Sequence, residues 1–381
     1  MRRSIVLSLA LSVVLVACGD NKDVPDARMG IDAPPPDAHI VTPRAVAVAG
    51  DFGSPGVGTV SKLEVTDLMM RQNVVQGAAQ GDPALRVFGN RVYVVNRFGS
   101  NNITILDAKT LSVVDQMSTG ASSNPQDVAV VDNKMYIPAL GTAGVVVLAP
   151  GSPTPQVIDL ATPLGDADGK PDCVSAFAVG KYVYVACDMQ TNFANVLDSK
   201  IAVIDTANNH VVGQVITPYK NPLGLFAHAP QAAVYFGDLL IPLVPNFGDL
   251  TQGCIARIST VNPAAPTAAC GPTNAELGGF ANRLAVDSEN NKLYIAVAES
   301  FTSGKLRTVD LSNGALAAGS LSKAGQLIVD VQVCPGGDVV ASDQTTNATG
   351  LRVWRGTTER TTDAISIGMN PTVNGLACYD P

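Results

Sequence analysis

One phrase recurs along the chain and constrains its fold more than any other feature. RVYVVNRFGSNNITILDAKTLSVVDQMSTG from Arg91, KMYIPALGTAGVVVLAPGSPTPQVIDL from Lys134, KYVYVACDMQTNFANVLDSKIAVIDTANNHVVGQVIT from Lys181 and KLYIAVAESFTSGKLRTVDLSNGALAAGSL from Lys292 each contain three short apolar runs separated by turns. A further apolar run precedes each phrase, so the repeating unit has four strands. The leading runs are ALRVFG, PQDVAVV, CVSAFAVG, PQAAVYFG, ANRLAVD and LIVDVQVC, beginning near Ala84, Pro125, Cys173, Pro230, Ala281 and Leu327. A single four-stranded blade cannot bury both of its faces and must stack on neighbours, which at this spacing predicts a β-propeller.

The chain ends say how the ring closes. Between Ala45 and Gly77 stand AVAVAGDF, GTVSKLEVT and RQNVVQG, matching strands two, three and four but lacking the first. The missing run appears at the other end as NPTVNGLACY, Asn370 to Tyr379. We therefore expect an all-β, seven-bladed propeller with four antiparallel strands per blade, closed by the C-terminal strand completing the N-terminal blade. Seven blades of roughly 48 residues fill Arg44 to Pro381, within the propeller range. A sandwich or solenoid would leave both fragmentary ends unexplained. Composition agrees, with charged residues at 15% against an ordinary level of about 25%, and 35 Gly and 25 Pro to supply turns.

RVYVVNRFGSNNITILDAKTLSVVDQMSTGASSNPQDVAV resembles the YVTN repeat of bacterial surface-layer and periplasmic propellers, in which YVxN, GSNxxxxID and xxxVVxxI strands recur before a Pro. The resemblance extends to the blades from Lys134, Lys181 and Lys292 and fades around Leu239 and Val339. It implies a seven-bladed fold and an extracytoplasmic setting. Trp354, the one Trp, is not followed by Asp, so the WD-repeat type is not supported.

The N-terminus supplies an address. Arg2 and Arg3 precede an apolar run, Ile5 to Val16, too short for an ordinary membrane span, and Leu15-Val16-Ala17-Cys18 resembles a bacterial lipobox. We expect residues 1–17 to be a lipoprotein signal peptide and Cys18 to carry the lipid, the alternative being an ordinary secretory signal with a chance Cys. Residues 18–43, rich in Pro, Asp and Ala, bury too little apolar surface to offset their ordering entropy and read as a tether. Membrane attachment is then through the lipid alone, in the bacterial cell envelope, on the periplasmic or cell-surface side. A formal net charge of −8 with no basic stripe argues against nucleic acid.

Setting Cys18 aside leaves six cysteines, an even number in an oxidising compartment. Cys173 with Cys187 and Cys254 with Cys270 each bracket a hairpin. Cys334 and Cys378 lie on the first strands of the last and first blades; they either bond across the closure or remain buried free thiols, should the Cα separation exceed what a disulfide spans.

GDADGKPD places Asp166, Asp168 and Asp172 around Gly169. Calcium favours several oxygens on a Gly-permitted turn, which makes this a candidate Ca²⁺ loop; the bidentate Glu of a full loop is absent, and a solvated acidic loop is the alternative. Of three histidines, His39 falls in the tether, His210 in a turn and His228 in a loop, and none are spaced as metal ligands. No nucleophile elbow, P-loop or dinucleotide fingerprint occurs.

Propeller geometry sends first-to-second and third-to-fourth turns to one face, and second-to-third loops with the blade-to-blade connections to the other. The first set is mostly tight, while the second holds DMQTNFANVLDS from Asp188, PNFGDLTQG from Pro245 and ESFTSG from Glu299. Elaborated loops on a rigid scaffold are the usual place for recognition. Asn192, Phe193, Asn195, Asn246, Phe247, Asp249 and Phe301 are the candidate contacts. The expectation is a non-catalytic binding or interaction module that recognises a protein or glycan partner on the long-loop face. A lactonase-like hydrolase, a quinoprotein-like subunit and a structural envelope-layer protein are the alternatives.

Overall fold

The computed structural model describes residues 41–381 except Pro153, Phe193, Asn195, Val196, Ala233 and Val373. The expected signal peptide, Cys18, most of the expected tether and two candidate contacts, Phe193 and Asn195, lie outside the described residues. Within them the chain forms seven antiparallel sheets. The first blade pairs Leu376–Tyr379 with Arg44–Gly50, followed by Gly58–Glu64 and Met69–Arg71. Arg44, Ala45, Val46 and Ala47 face Tyr379, Cys378, Ala377 and Leu376, so the C-terminal strand closes the ring as the divided repeat requires.

Strand alternation explains why the blades stack. On Arg44–Gly50 successive side chains point to opposite faces. Val46 and Val48 enter a cluster with Leu85, Val92 and Leu106 of the second blade. Ala45, Ala47 and Ala49 enter another with Val340, Leu351 and Val353 of the seventh. Similar clusters join the second blade to the third, third to fourth, fourth to fifth, fifth to sixth and sixth to seventh. Tyrosines of the repeated phrase add polar ties: Tyr136 donates to Asn209 Oδ1 at 2.9 Å and Tyr184 to the Thr260 carbonyl at 3.4 Å, each in the following blade.

All three candidate disulfides are present, including the closure pair that the sequence left open. Cys173–Cys187 and Cys254–Cys270 lie within blades, and Cys334–Cys378 joins the seventh blade to the first with Cα atoms 4.9 Å apart, inside the range a disulfide spans.

Two details differ from expectation. The first strand of the fifth blade is Ala227–Ala229, not the run from Pro230. Beyond it, Ala232 and Tyr235 are buried between the fifth and sixth blades while Val234 and Phe236 are exposed. His228 is thus a strand residue rather than a loop residue. Its ring sits 5.5 Å from that of Phe177, and burial lowers its pKa. His210 opens the strand His210–Ile216. The sixth blade has three strands, Phe280–Asp287, Lys292–Ala298 and Gly304–Asp310; among the described residues its fourth is reduced to a bridge between Val309 and Leu316.

Candidate functional site

The innermost strands of neighbouring blades are joined near their starts by side chains rather than by a backbone ladder. A buried N–H there needs another acceptor. Asp127 Oδ2 accepts from Ser175 Oγ at 2.9 Å and from the Ala176 N–H at 3.0 Å in the next blade. Ser175 Oγ in turn accepts from the Phe226 N–H at 3.1 Å, and Asp330 Oδ2 from the Leu376 N–H at 3.1 Å across the closure. These residues bring a ring of polar and charged side chains to the propeller axis.

Above this ring a cavity of about 810 Å³ lies on the long-loop side. Three sources build it: second-to-third loops contribute Phe98, Asn192 and Phe247; connections contribute Asn124, Asp172 and Asn221; inner strands contribute Arg283. The aromatic rings of Phe98 and Phe247 remain 56% and 47% exposed, so their faces are available to a ligand. Phe247 is steadied by edge-on packing against Phe280 at 6.0 Å.

Charge is distributed unevenly. Arg97 follows the second strand of the second blade and Arg283 lies on the first strand of the sixth, while Asp168, Asp172 and Asp188 come from the connection into the fourth blade and from its long loop. Arg86 is fully engaged, donating from Nε and Nη2 to the two carboxylate oxygens of Asp127, each at 2.8 Å. Arg97 pairs with Asp82, and Arg283 Nη1 donates to the Asn282 carbonyl at 2.6 Å. Burial lowers the Arg283 pKa to about 10 and pushes Asp330 up to about 7, with attraction to Arg283 opposing the latter rise. Burial also raises Asp188 to about 7, against hydrogen bonds from Gln190 and Ser199. Asp172 reaches about 6 through burial and the neighbouring Asp168.

Among the sequence-derived candidates, Asn192 and Phe247 line the cavity together with Asp168 and Asp172. Asn246 and Asp249 shape their own loop: Asn246 Oδ1 accepts from the Gly248 N–H at 2.8 Å, and Asp249 Oδ1 from the Thr251 hydroxyl at 2.7 Å. Phe301 is 71% exposed on a neighbouring loop and is not part of the cavity wall. Within the acidic loop, Asp166 Oδ2 and Asp168 Oδ1 both accept from the Lys170 N–H at 2.9 Å, and Asp172 Oδ2 accepts from the Gln190 N–H at 3.1 Å. Burial and the adjacent Asp168 raise the pKa of Asp166. Among the described residues no group of three or more His, Cys, Asp or Glu is arranged to hold a metal ion.

Sequence reasoning missed Arg97, Phe98 and Arg283. A signal was present for Arg283: several leading runs that should be apolar hold a polar or charged residue near the start, as with Arg86, Asp127, Ser175, Arg283 and Asp330.

No family model matches the chain, and no curated protein does. Solved structures do match. A hydrazine synthase chain from Kuenenia stuttgartiensis is 15% identical, with 85% of this chain and 99% of that one covered at a TM-score of 0.58. AztD of Citrobacter koseri is 12% identical, with 89% and 98% covered at 0.55. The dihydro-heme d1 dehydrogenase NirN is 15% identical, with 89% and 75% covered at 0.54. At such identities the likeness is one of fold.

Proposed function

We propose that this propeller is a lipid-anchored binding module of a bacterial envelope, performing no chemistry of its own, whose long-loop face takes a glycan into the central cavity. The observation that carries the reading is the make-up of the cavity. Asn101, Asn124, Gln126, Gln190, Asn192 and Asn221 line it, some of their amides already bonded within the protein, with Phe98 and Phe247 alongside. A side-chain amide both donates and accepts, which suits sugar hydroxyls, and an aromatic face takes up a sugar's apolar side. Its volume suits a small ligand enclosed on several sides, whereas a protein partner commonly needs a broad surface.

The envelope setting is supported by three disulfides, by the lipobox ending at Cys18 and by the resemblance to YVTN-repeat propellers. Asp166, Asp168 and Asp172 remain the candidate Ca²⁺ ligands, bordering the cavity through the latter two. One observation favours a second reading, a hydrolase: Asp172 and Asp188 face the cavity with pKa values of about 6 and 7, suited to general acid–base work. Oligosaccharides released from bacterial envelopes, arrayed and probed with the purified full chain, test the first reading. Assaying lactones and the bound glycans for hydrolysis tests the second. Glycans retained intact support the module, and turnover would replace it with the enzyme.

A further inference from the structure

Resting on the glycan reading above, we infer that the cavity holds a carboxylate seat to which Arg97 and Arg283 contribute, and that the ligand is an acidic sugar, a hexuronate or a uronate-containing oligosaccharide. Arg97 follows the strand Arg91–Asn96, and Arg283 sits beside a bulge in Phe280–Asp287. Both line the cavity, with 8% and 3% of their surface exposed. Taking a guanidinium out of water is costly unless its donors and charge are matched. Arg86 meets that condition through Asp127. Arg97 meets it in part through Asp82, and Arg283 donates from Nη1 to the Asn282 carbonyl, yet each keeps a buried Nε–H with no acceptor. Asn374 Oδ1, on the same cavity, lacks a donor as well. Asp330, the carboxylate whose charge acts on Arg283, is occupied by the N–H groups of Val331 and Leu376 at 2.7 and 3.1 Å.

Two guanidinium groups on one cavity, each with an unmatched donor, point to a group that completes them. A carboxylate fits because it is planar and accepts two parallel hydrogen bonds from a guanidinium. Asp168, Asp172 and Asp188 elsewhere on the cavity disfavour additional negative charge, so the remainder of the ligand is neutral and hydroxyl-rich, facing the amides. Gly224, at φ +92°, keeps the wall open: a Cβ there would stand 2.4 Å from Arg283 Nη1.

The test is calorimetric titration of the full chain with disaccharides of galacturonate, glucuronate and mannuronate, with their methyl esters, with the neutral hexose disaccharides and with acetate. At least one acid should bind roughly ten- to hundredfold more tightly than its ester, the range of charge-assisted hydrogen bonds. Arg283→Gln should reduce that acid to the level of its ester. If that variant does not fold, the acid and ester comparison on the parent chain decides. Equal binding of acid, ester and neutral sugar would remove the carboxylate seat and leave the glycan reading standing. Acetate binding as tightly as the acid disaccharides would assign the seat to free carboxylic acids and overturn the acidic sugar. Failure of every sugar would overturn both.

Discussion

Removing Asn370 to Pro381 takes away the first strand of the first blade, a perturbation far larger than trimming an exposed tail. Four residue pairs with Arg44–Ala47 are lost, leaving the backbone of that strand unpaired on one side. Leu376 and Tyr379, 2% and 7% exposed, each forfeit about 2 kcal/mol of burial. The Cys334–Cys378 link, spanning a separation of 44, contributes about 4 kcal/mol on the chain-entropy estimate. Together these approach about 8 kcal/mol, against a total of roughly 5–15 kcal/mol for an ordinary domain, so the truncated chain should lose its cooperative transition. The pair Cys334→Ser and Cys378→Ser separates the contributions: it keeps the strand and should lower Tm by on the order of 5–10 °C. Circular dichroism melts of the parent, the double-Ser variant and the truncation read both effects. A truncated chain melting cooperatively at the parental temperature would refute the ring closure.

Cys18→Ser should abolish incorporation of labelled fatty acid and leave the precursor unprocessed by lipoprotein signal peptidase; persisting label would contradict lipidation at that residue. Stability should rise as pH falls from 8 to 5. Asp172, Asp188 and Asp330 have raised pKa values, so their stabilising effect is complete below the ordinary range near 4 and is lost as pH climbs through about 6 for the first and about 7 for the other two. Asp188 alone accounts for on the order of 2–4 kcal/mol, and Asp188→Asn should flatten the pH profile of Tm. Millimolar Ca²⁺ should raise Tm by mass action if Asp166, Asp168 and Asp172 bind it, and Asp168→Asn should remove the shift; an unchanged parent melt would make this an ordinary solvated loop.

Strand rhythm made the blades legible because stacking both faces of every sheet forces apolar residues onto both sides, as Val46 and Ala47 show on adjacent positions. The fifth blade was misread because PQAAVYFG is apolar enough for a strand, yet Ala232 and Tyr235 are buried at a spacing of three while Val234 and Phe236 point outward. Tertiary packing overrode local propensity there. In the sixth blade, ALAAGS offers small side chains and little cross-strand contact, and the fourth strand frays to one bridge at Leu316. Loop length pointed to the face that carries the cavity, and Asn192 and Phe247 followed from it. Arg97 and Arg283 did not, because only ring closure brings the second and sixth blades to one cavity. For Arg283 the isolated charges in otherwise apolar inner strands were the available sign; Arg97, beyond a second strand, carried none.

The most direct test of the account is glycan binding by the full chain with the two faces altered separately. Phe98→Ala with Phe247→Ala strips both rings from the cavity, and Lys109→Ala with Asn208→Ala changes exposed turns on the opposite side. On an array of envelope oligosaccharides, the first pair should weaken binding by roughly tenfold or more at an unchanged melting temperature, in keeping with aromatic contacts worth about 1 kcal/mol each beyond their area. The second pair should bind as the parent does. Retention by the first pair with loss by the second would contradict the assignment of function to the long-loop face.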